Sequence, residues 1–135
     1  MDTEKLDLTG FEPFVLVTSW VVSMTISSRR IIFRGKTYKA LNESQFASVL
    51  IREHDDKLEL LLMAERKKGK NTVTACPNSN GEKYYRTVSL NAIKFFEEKL
   101  HLNLKEYNYS CIGQIVNKES VYFDLDNLAK RRKKT

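Results

Sequence analysis

The chain has 135 residues, 41% of them apolar and 30% charged, with aromatic residues spread along its length, which suits one globular domain and excludes a disordered chain. Its net charge of +6 is concentrated at one end: Lys130, Arg131, Arg132, Lys133 and Lys134 carry five positives, and without them 18 basic residues stand against 17 acidic ones, which excludes a uniformly basic surface. Cys76 and Cys111 form no CxxC motif, and the acidic start Met1-Asp2-Thr3-Glu4-Lys5 is wrong for an export signal, so free thiols in a cytoplasmic protein are the expectation.

The run Phe14 to Met24 is shorter than the roughly 20 residues that span a bilayer and is rich in β-branched residues, so 14–26 reads as one or two strands. Ser27-Ser28-Arg29-Arg30 turns the chain into a short strand at Ile31-Ile32-Phe33. Residues 35–42 read as a brief helix closed at Asn42, with Tyr38 and Leu41 facing inward. Strands at 46–52 and 57–64 flank the polar turn Glu53-His54-Asp55-Asp56, which makes a hairpin. The segment 65–83 is basic and then Asn-, Thr-, Ser- and Gly-rich, and reads as an exposed connecting loop.

Tyr84 to Val88 is again a strand. Ser89 is a suitable N-cap for the longest helix, about 90–101, whose Ile93, Phe96 and Leu100 share one face. A second hairpin is expected from Tyr107–Val116 and Ser120–Leu125. Residues 1–129 then form one domain, with 28–64 as its first half and 84–125 as its second, and 130–135 form a basic tail.

The two halves echo one another in the order strand, helix, hairpin. Phe46 and Leu58 match Tyr109 and Val121 at an offset of 63, and Arg30-Ile31-Ile32 matches Arg86-Thr87-Val88 at an offset of 56. The difference is two helical turns. The fold class is therefore α+β and β-rich, with an internal pseudo-repeat as a further expectation.

Charge clusters locally. Arg29, Arg30, Arg34, Lys36 and Lys39 fall within eleven residues that hold no acid, and Arg66, Lys67 and Lys68 follow the first hairpin. Such groups contact phosphates and release counterions, and an arginine fork reads guanine edges. The basic tail is open to two readings, a phosphate-gripping arm or a solubilising end.

Ser28-Arg29-Arg30-Ile31-Ile32-Phe33, then Arg34 to Leu41, then the hairpin 46–62 resemble the AbrB/SpoVT-type DNA-binding domain. Ser28, Arg30, Ile31, Ile32 and Leu41 match its pattern. Arg29 replaces its turn glycine, Arg34 its helix-opening proline and Thr37 its inward leucine. The resemblance implies a small barrel of swapped hairpins and DNA as the partner of a homodimer; in a duplicated chain, both halves would come from one molecule.

Other chemistry finds little footing. His54 and His101 have no second ligand at metal spacing, and Lys68-Gly69-Lys70 lacks the frame of a phosphate loop. Asp56 with Glu65-Arg66-Lys67 mimics a magnesium nuclease, yet a straight strand would hold Asp56 and Glu65 roughly 26 Å apart. The expectation is a non-enzymatic DNA-binding regulator or accessory factor with no cofactor, metal, small-molecule ligand or membrane contact. The alternative is a protein-interaction module using strand edges and the apolar N-terminal segment. A nuclease comes third.

Overall fold

The computed structural model describes residues 7, 9–11 and 21–133; the part of the expected first strand at 14–20 lies outside them. Two strands, β1 (Val22–Ile26) and β2 (Ile31–Gly35), open the fold. The Ser27 N–H donates to the Arg30 carbonyl over 3.0 Å and leaves Ser28-Arg29 as a two-residue turn. Helix α1 (Thr37–Ala40) is a single turn, shorter than the expected 35–42. Its inward side is Thr37, Ala40 and Leu41, with Tyr38 only partly covered. Gly35 enters it at φ +70, where a Cβ would collide with the Val21 carbonyl oxygen. That oxygen accepts from the Lys36 N–H at 2.8 Å, so only glycine lets the two backbones meet.

The first hairpin forms as its alternation demands. Strands β3 (Phe46–His54) and β4 (Lys57–Glu65) pair along nine residues, and Asp55 and Asp56, both at positive φ, make the two-residue turn. This is the geometry that matches strand twist. The expected loop 65–83 is corrected in its second part: Thr72–Pro77 is strand β5, paired to β3 on one side and to β6 (Lys83–Thr87) on the other. Val73 and Ala75 point into the core while Thr72, Thr74 and Cys76 alternate outward. Because β4 and β5 flank β3, residues 66–71 must cross over β3. Helix α2 (Leu90–Lys99) begins where Ser89 Oγ accepts the Ala92 N–H at 3.3 Å.

The second hairpin is also corrected. β7 (Tyr107–Ile112) pairs with β1, whereas β8 (Gln114–Asn117) pairs with β9 (Ser120–Asp124). Tyr109 therefore faces Ile26 and Lys130, unlike Phe46 in the β3–β4 hairpin, and the pairing does not confirm the pseudo-repeat. The basic run departs from expectation too: Ala129–Arg132 is strand β10, paired to β7.

All pairs are antiparallel, in the order β10-β7-β1-β2-β6-β5-β3-β4-β9-β8. β7 and β8 lie toward opposite ends of that order with only Gly113 between them. The sheet must therefore curl into a half-barrel whose two sides meet at this residue. A Cβ at Gly113 would sit 2.6 Å from the Phe123 ring. The concave side holds one core of Met24, Ile26, Phe33, Leu60, Leu62, Tyr85, Val121 and Phe123, and α1 and α2 bury Ala40, Ile93 and Phe96 in it. Both helices therefore stand inside the curl, and among the described residues no helix covers the convex side of the strands. No helix among the described residues is long and apolar enough to cross a membrane.

Candidate nucleic-acid interface

Strand alternation sends every second side chain to the convex face, and directly paired residues share a face. Across β10, β7, β1, β2, β6 and β5 the convex set is Ala129, Arg131, Asn108, Ser110, Ile112, Ser23, Thr25, Ile32, Arg34, Tyr84, Arg86, Thr72, Thr74 and Cys76. Arg30, one residue before β2, continues the alternation. None of these is acidic. The acids of the convex face, Glu59, Glu65 and Asp124, lie on β4 and β9. Charge is thus segregated across one sheet surface: arginine and hydroxyl groups on one side, carboxylates on the other.

One transverse row runs Ala129, Ser110, Thr25, Ile32, Arg86, Thr74. Ile32 is only 3% exposed although it faces outward, away from the core cluster. Its neighbours on that face are Thr25 and Arg86 across the sheet and Arg30 and Arg34 along its own strand. The aliphatic stems of such arginines cover apolar surface while their heads stay in water. Arg30, Arg34, Arg86 and Arg131 are all exposed, and none pairs with a carboxylate among the described residues, where the ion pairs join Arg52 to Glu59, His54 to Asp55, Lys99 to Glu53 and Arg132 to Glu106.

The eight basic residues singled out from sequence do not form one patch. Arg29 and Arg30 stand at one end of β2, and Lys36 and Lys39 lie beyond the other. Five strand residues separate them, roughly 17 Å. Lys36 and Lys39 line a cleft of about 360 Å³ with Lys83, Glu43 and Glu82. Arg66, Lys67 and Lys68 are exposed on the connection that crosses β3, and the first two line a cleft of about 600 Å³ with Glu65 and Glu119. Carboxylates therefore accompany these groups, unlike Arg30 and Arg34.

Two arginines of this face lie outside the eight residues singled out from sequence. Arg86 follows the aromatic pair Tyr84-Tyr85 in β6 with no neighbouring cluster of basic residues, and only its pairing opposite Ile32 brings it beside Arg34 and Arg30. Arg131 belongs to the basic run, which β10 splits by alternation. Lys130 and Arg132 turn inward over the Tyr107 ring, 4.7 and 5.8 Å from its centre, as cation–π partners. Arg131 faces outward. Lys133 donates to Ser28 Oγ over 2.8 Å, which ties the end of the chain to the first turn.

The acidic half of the convex face has its own cluster. Arg52 Nε donates to Glu59 Oε1 over 2.8 Å, and the Tyr122 phenol donates to the other Glu59 oxygen. The Arg52 hydrogen bond, then that of Tyr122, holds the Glu59 carboxyl down at about 2, and the same carboxylate pushes Tyr122 up to about 12. Both Glu59 oxygens accept within the cluster, which reads as a cross-strand clamp on β3, β4 and β9.

Asp56 lies in the β3–β4 turn and Glu65 ends β4, so the strand holds the two nuclease-like acids apart. No group of three or more metal-ligating side chains occurs among the described residues. No family model, curated protein or known structure matches the chain.

Proposed function

We propose that the protein binds nucleic acid, as a DNA-binding regulator or accessory factor, through the convex face of β10, β7, β1, β2, β6 and β5. The observation that carries this reading is the placement of Arg30, Arg34, Arg86 and Arg131 on one acid-free face. Guanidinium groups bind phosphate oxygens bidentately. Like charges gathered without counter-charges sum to a local potential that attracts a polyanion. Ser23, Thr25, Ser110 and Thr74 add the hydroxyl donors that commonly position a phosphate backbone.

The test is a titration of fluorescently labelled mixed-sequence DNA, single- and double-stranded, over a series of salt concentrations. Each phosphate contact contributes about 0.7 to 0.9 to the slope of log affinity against log salt. The combined variant Arg30→Gln, Arg34→Gln, Arg86→Gln should lose about 2 to 3 of that slope and at least about tenfold in affinity. The variant Arg66→Gln, Lys67→Gln, Lys68→Gln should keep the slope within about 0.5. Wild-type affinity and slope in the arginine variant would remove the reading.

One observation favours the protein-interaction alternative. Leu50 and Ile51, 41% and 48% exposed, line a depression of about 370 Å³ with Leu61 and Tyr122. Aromatic and apolar groups of this kind anchor protein contacts. A monomer by light scattering at high concentration would count against self-association through this surface.

A further inference from the structure

We infer that the nucleic acid this face takes is a single strand. The inference rests on the nucleic-acid reading above and narrows it, toward an accessory role on unpaired DNA or RNA.

Shape is the first ground. The acid-free face spans six strands, roughly 24 Å measured along the sheet, about twice the ~12 Å width of the B-DNA major groove. Reading a groove takes a projecting helix or a narrow two-stranded ribbon. Here Ala40 of α1 and Ile93 and Phe96 of α2 anchor the two helices in the concave core, so among the described residues no helix projects from the convex face. At its rim the β1–β2 turn offers only Ser28 and Arg29. A duplex is itself a stiff convex rod, and two convex bodies meet along a line. Such a line reaches few of four arginines that lie on β10, on β6 and at both ends of β2. A flexible single strand drapes over a curved sheet and can visit them in succession.

Chemistry is the second ground. Phe33 pairs with Tyr85, so the next pair along sets Arg34 opposite Tyr84, both on the convex face. Arg86 follows two residues along the same strand. A phenol ring and two guanidinium planes side by side are stacking partners for bases whose faces are free. In a duplex those faces are already stacked. The hydroxyls of Ser23, Thr25, Ser110 and Thr74 beside them suit sugar and phosphate oxygens, which a single strand presents on all sides.

The experiment uses the full chain and three labelled probes of about 15 nucleotides, near the upper site size of one small β-barrel. They are a mixed-sequence DNA single strand, the same strand annealed to its complement, and the RNA of that sequence, followed by fluorescence anisotropy at low salt. At least one single strand should bind about tenfold or more tightly than the duplex, and the comparison of RNA with DNA identifies which. Tyr84→Ala should weaken single-strand binding about fivefold or more and leave duplex binding unchanged, while Tyr84→Phe restores it. Duplex binding as tight as either single strand, or equal loss on both forms in Tyr84→Ala, overturns the inference and leaves the arginine face as a nucleic-acid site. Failure of all three probes to bind removes both.

Discussion

Replacing Gly113 by alanine tests the closure on which the whole convex face depends. The added methyl would lie 2.6 and 2.8 Å from two Phe123 ring carbons and 2.9 Å from the Tyr122 carbonyl oxygen, where ordinary carbon contacts are ~3.5–4.0 Å. The ring has no free side to move into. Phe123 is fully buried and packs against Phe33 with centroids 5.6 Å apart. Forcing a methylene into such a site costs ~1–3 kcal/mol. The Gly113 backbone is outside the left-handed region, so the reduced freedom of the unfolded chain offsets ~0.4–1 kcal/mol of this. A net loss of ~1–2 kcal/mol lowers the melting temperature of a domain this size by ~3–8 °C, as read by circular dichroism. Phe123→Leu opens space for the methyl, so the double variant should be more stable than the sum of the single losses by ~1 kcal/mol. A Gly113→Ala protein that melts at or above the wild type, or strict additivity with Phe123→Leu, refutes the close packing of Gly113 against that ring.

Three further outcomes follow from side chains to which the nucleic-acid reading gives no role. Ser89→Ala removes the acceptor for the Ala92 N–H and should cost ~1 kcal/mol, whereas Ser89→Asp should retain most of the stability in the same denaturation series; equal losses would contradict the capping role. Glu59 has a depressed pKa, about 2 against 4.5, so its contribution to stability is present above 4.5 and lost as pH falls toward 2. Glu59→Gln should therefore flatten the melting temperature across that acid window. It should also bring one tyrosine ionisation down from about 12 toward 10 in the ultraviolet titration, and an unchanged titration would disprove the clamp. Burial pushes the Cys111 thiol up to about 11, so Cys76 should react with a thiol reagent at neutral pH well before Cys111. The reverse order in a Cys76→Ala comparison would contradict the burial of Cys111.

What the sequence made legible was local. The β3–β4 hairpin follows from alternation around a short polar turn, and α2 follows from a capping serine and a 3.6-residue stripe. Both signals lie within a few residues of the element they define. The rest depended on partners distant in the chain. Thr72–Pro77 carries only two inward residues, Val73 and Ala75, between basic and glycine-bearing segments. Nothing local distinguishes it from a loop until β3 and β6 take up its backbone groups. Tyr107–Val116 looks like one strand because it nearly is; Gly113 divides it only because the sheet curls there. The candidate site divides the same way. Arg30 and Arg34 were legible as a cluster, but sequence proximity also swept in Lys36 and Lys39, which the strand carries to its far end. Arg86 could be added only by knowing that Ile31–Phe33 pairs with Tyr85–Thr87.

The most conspicuous charge in the chain is not the best placed to bind a ligand. A run of five basic residues invites a nucleic-acid reading, yet β10 is an edge strand, and lysine and arginine on an edge discourage further strand pairing whatever else the protein binds. Lys130 and Arg132 are also engaged with Tyr107, and Lys133 with Ser28. The tail thus has a sufficient structural reason for its charge. Arg34 and Arg86 sit in the middle of the sheet, need no edge protection, and have no carboxylate partner among the described residues; covering Ile32 uses their aliphatic stems and gives no reason for their charge. The guanidinium heads of two adjacent exposed arginines on central strands repel one another, so a bound polyanion is a stronger account of their charge than of the tail's. Binding measurements should therefore respond more to Arg34→Gln with Arg86→Gln than to removal of an equal charge at Lys130 and Arg132. The opposite ranking would move the interface to the chain end.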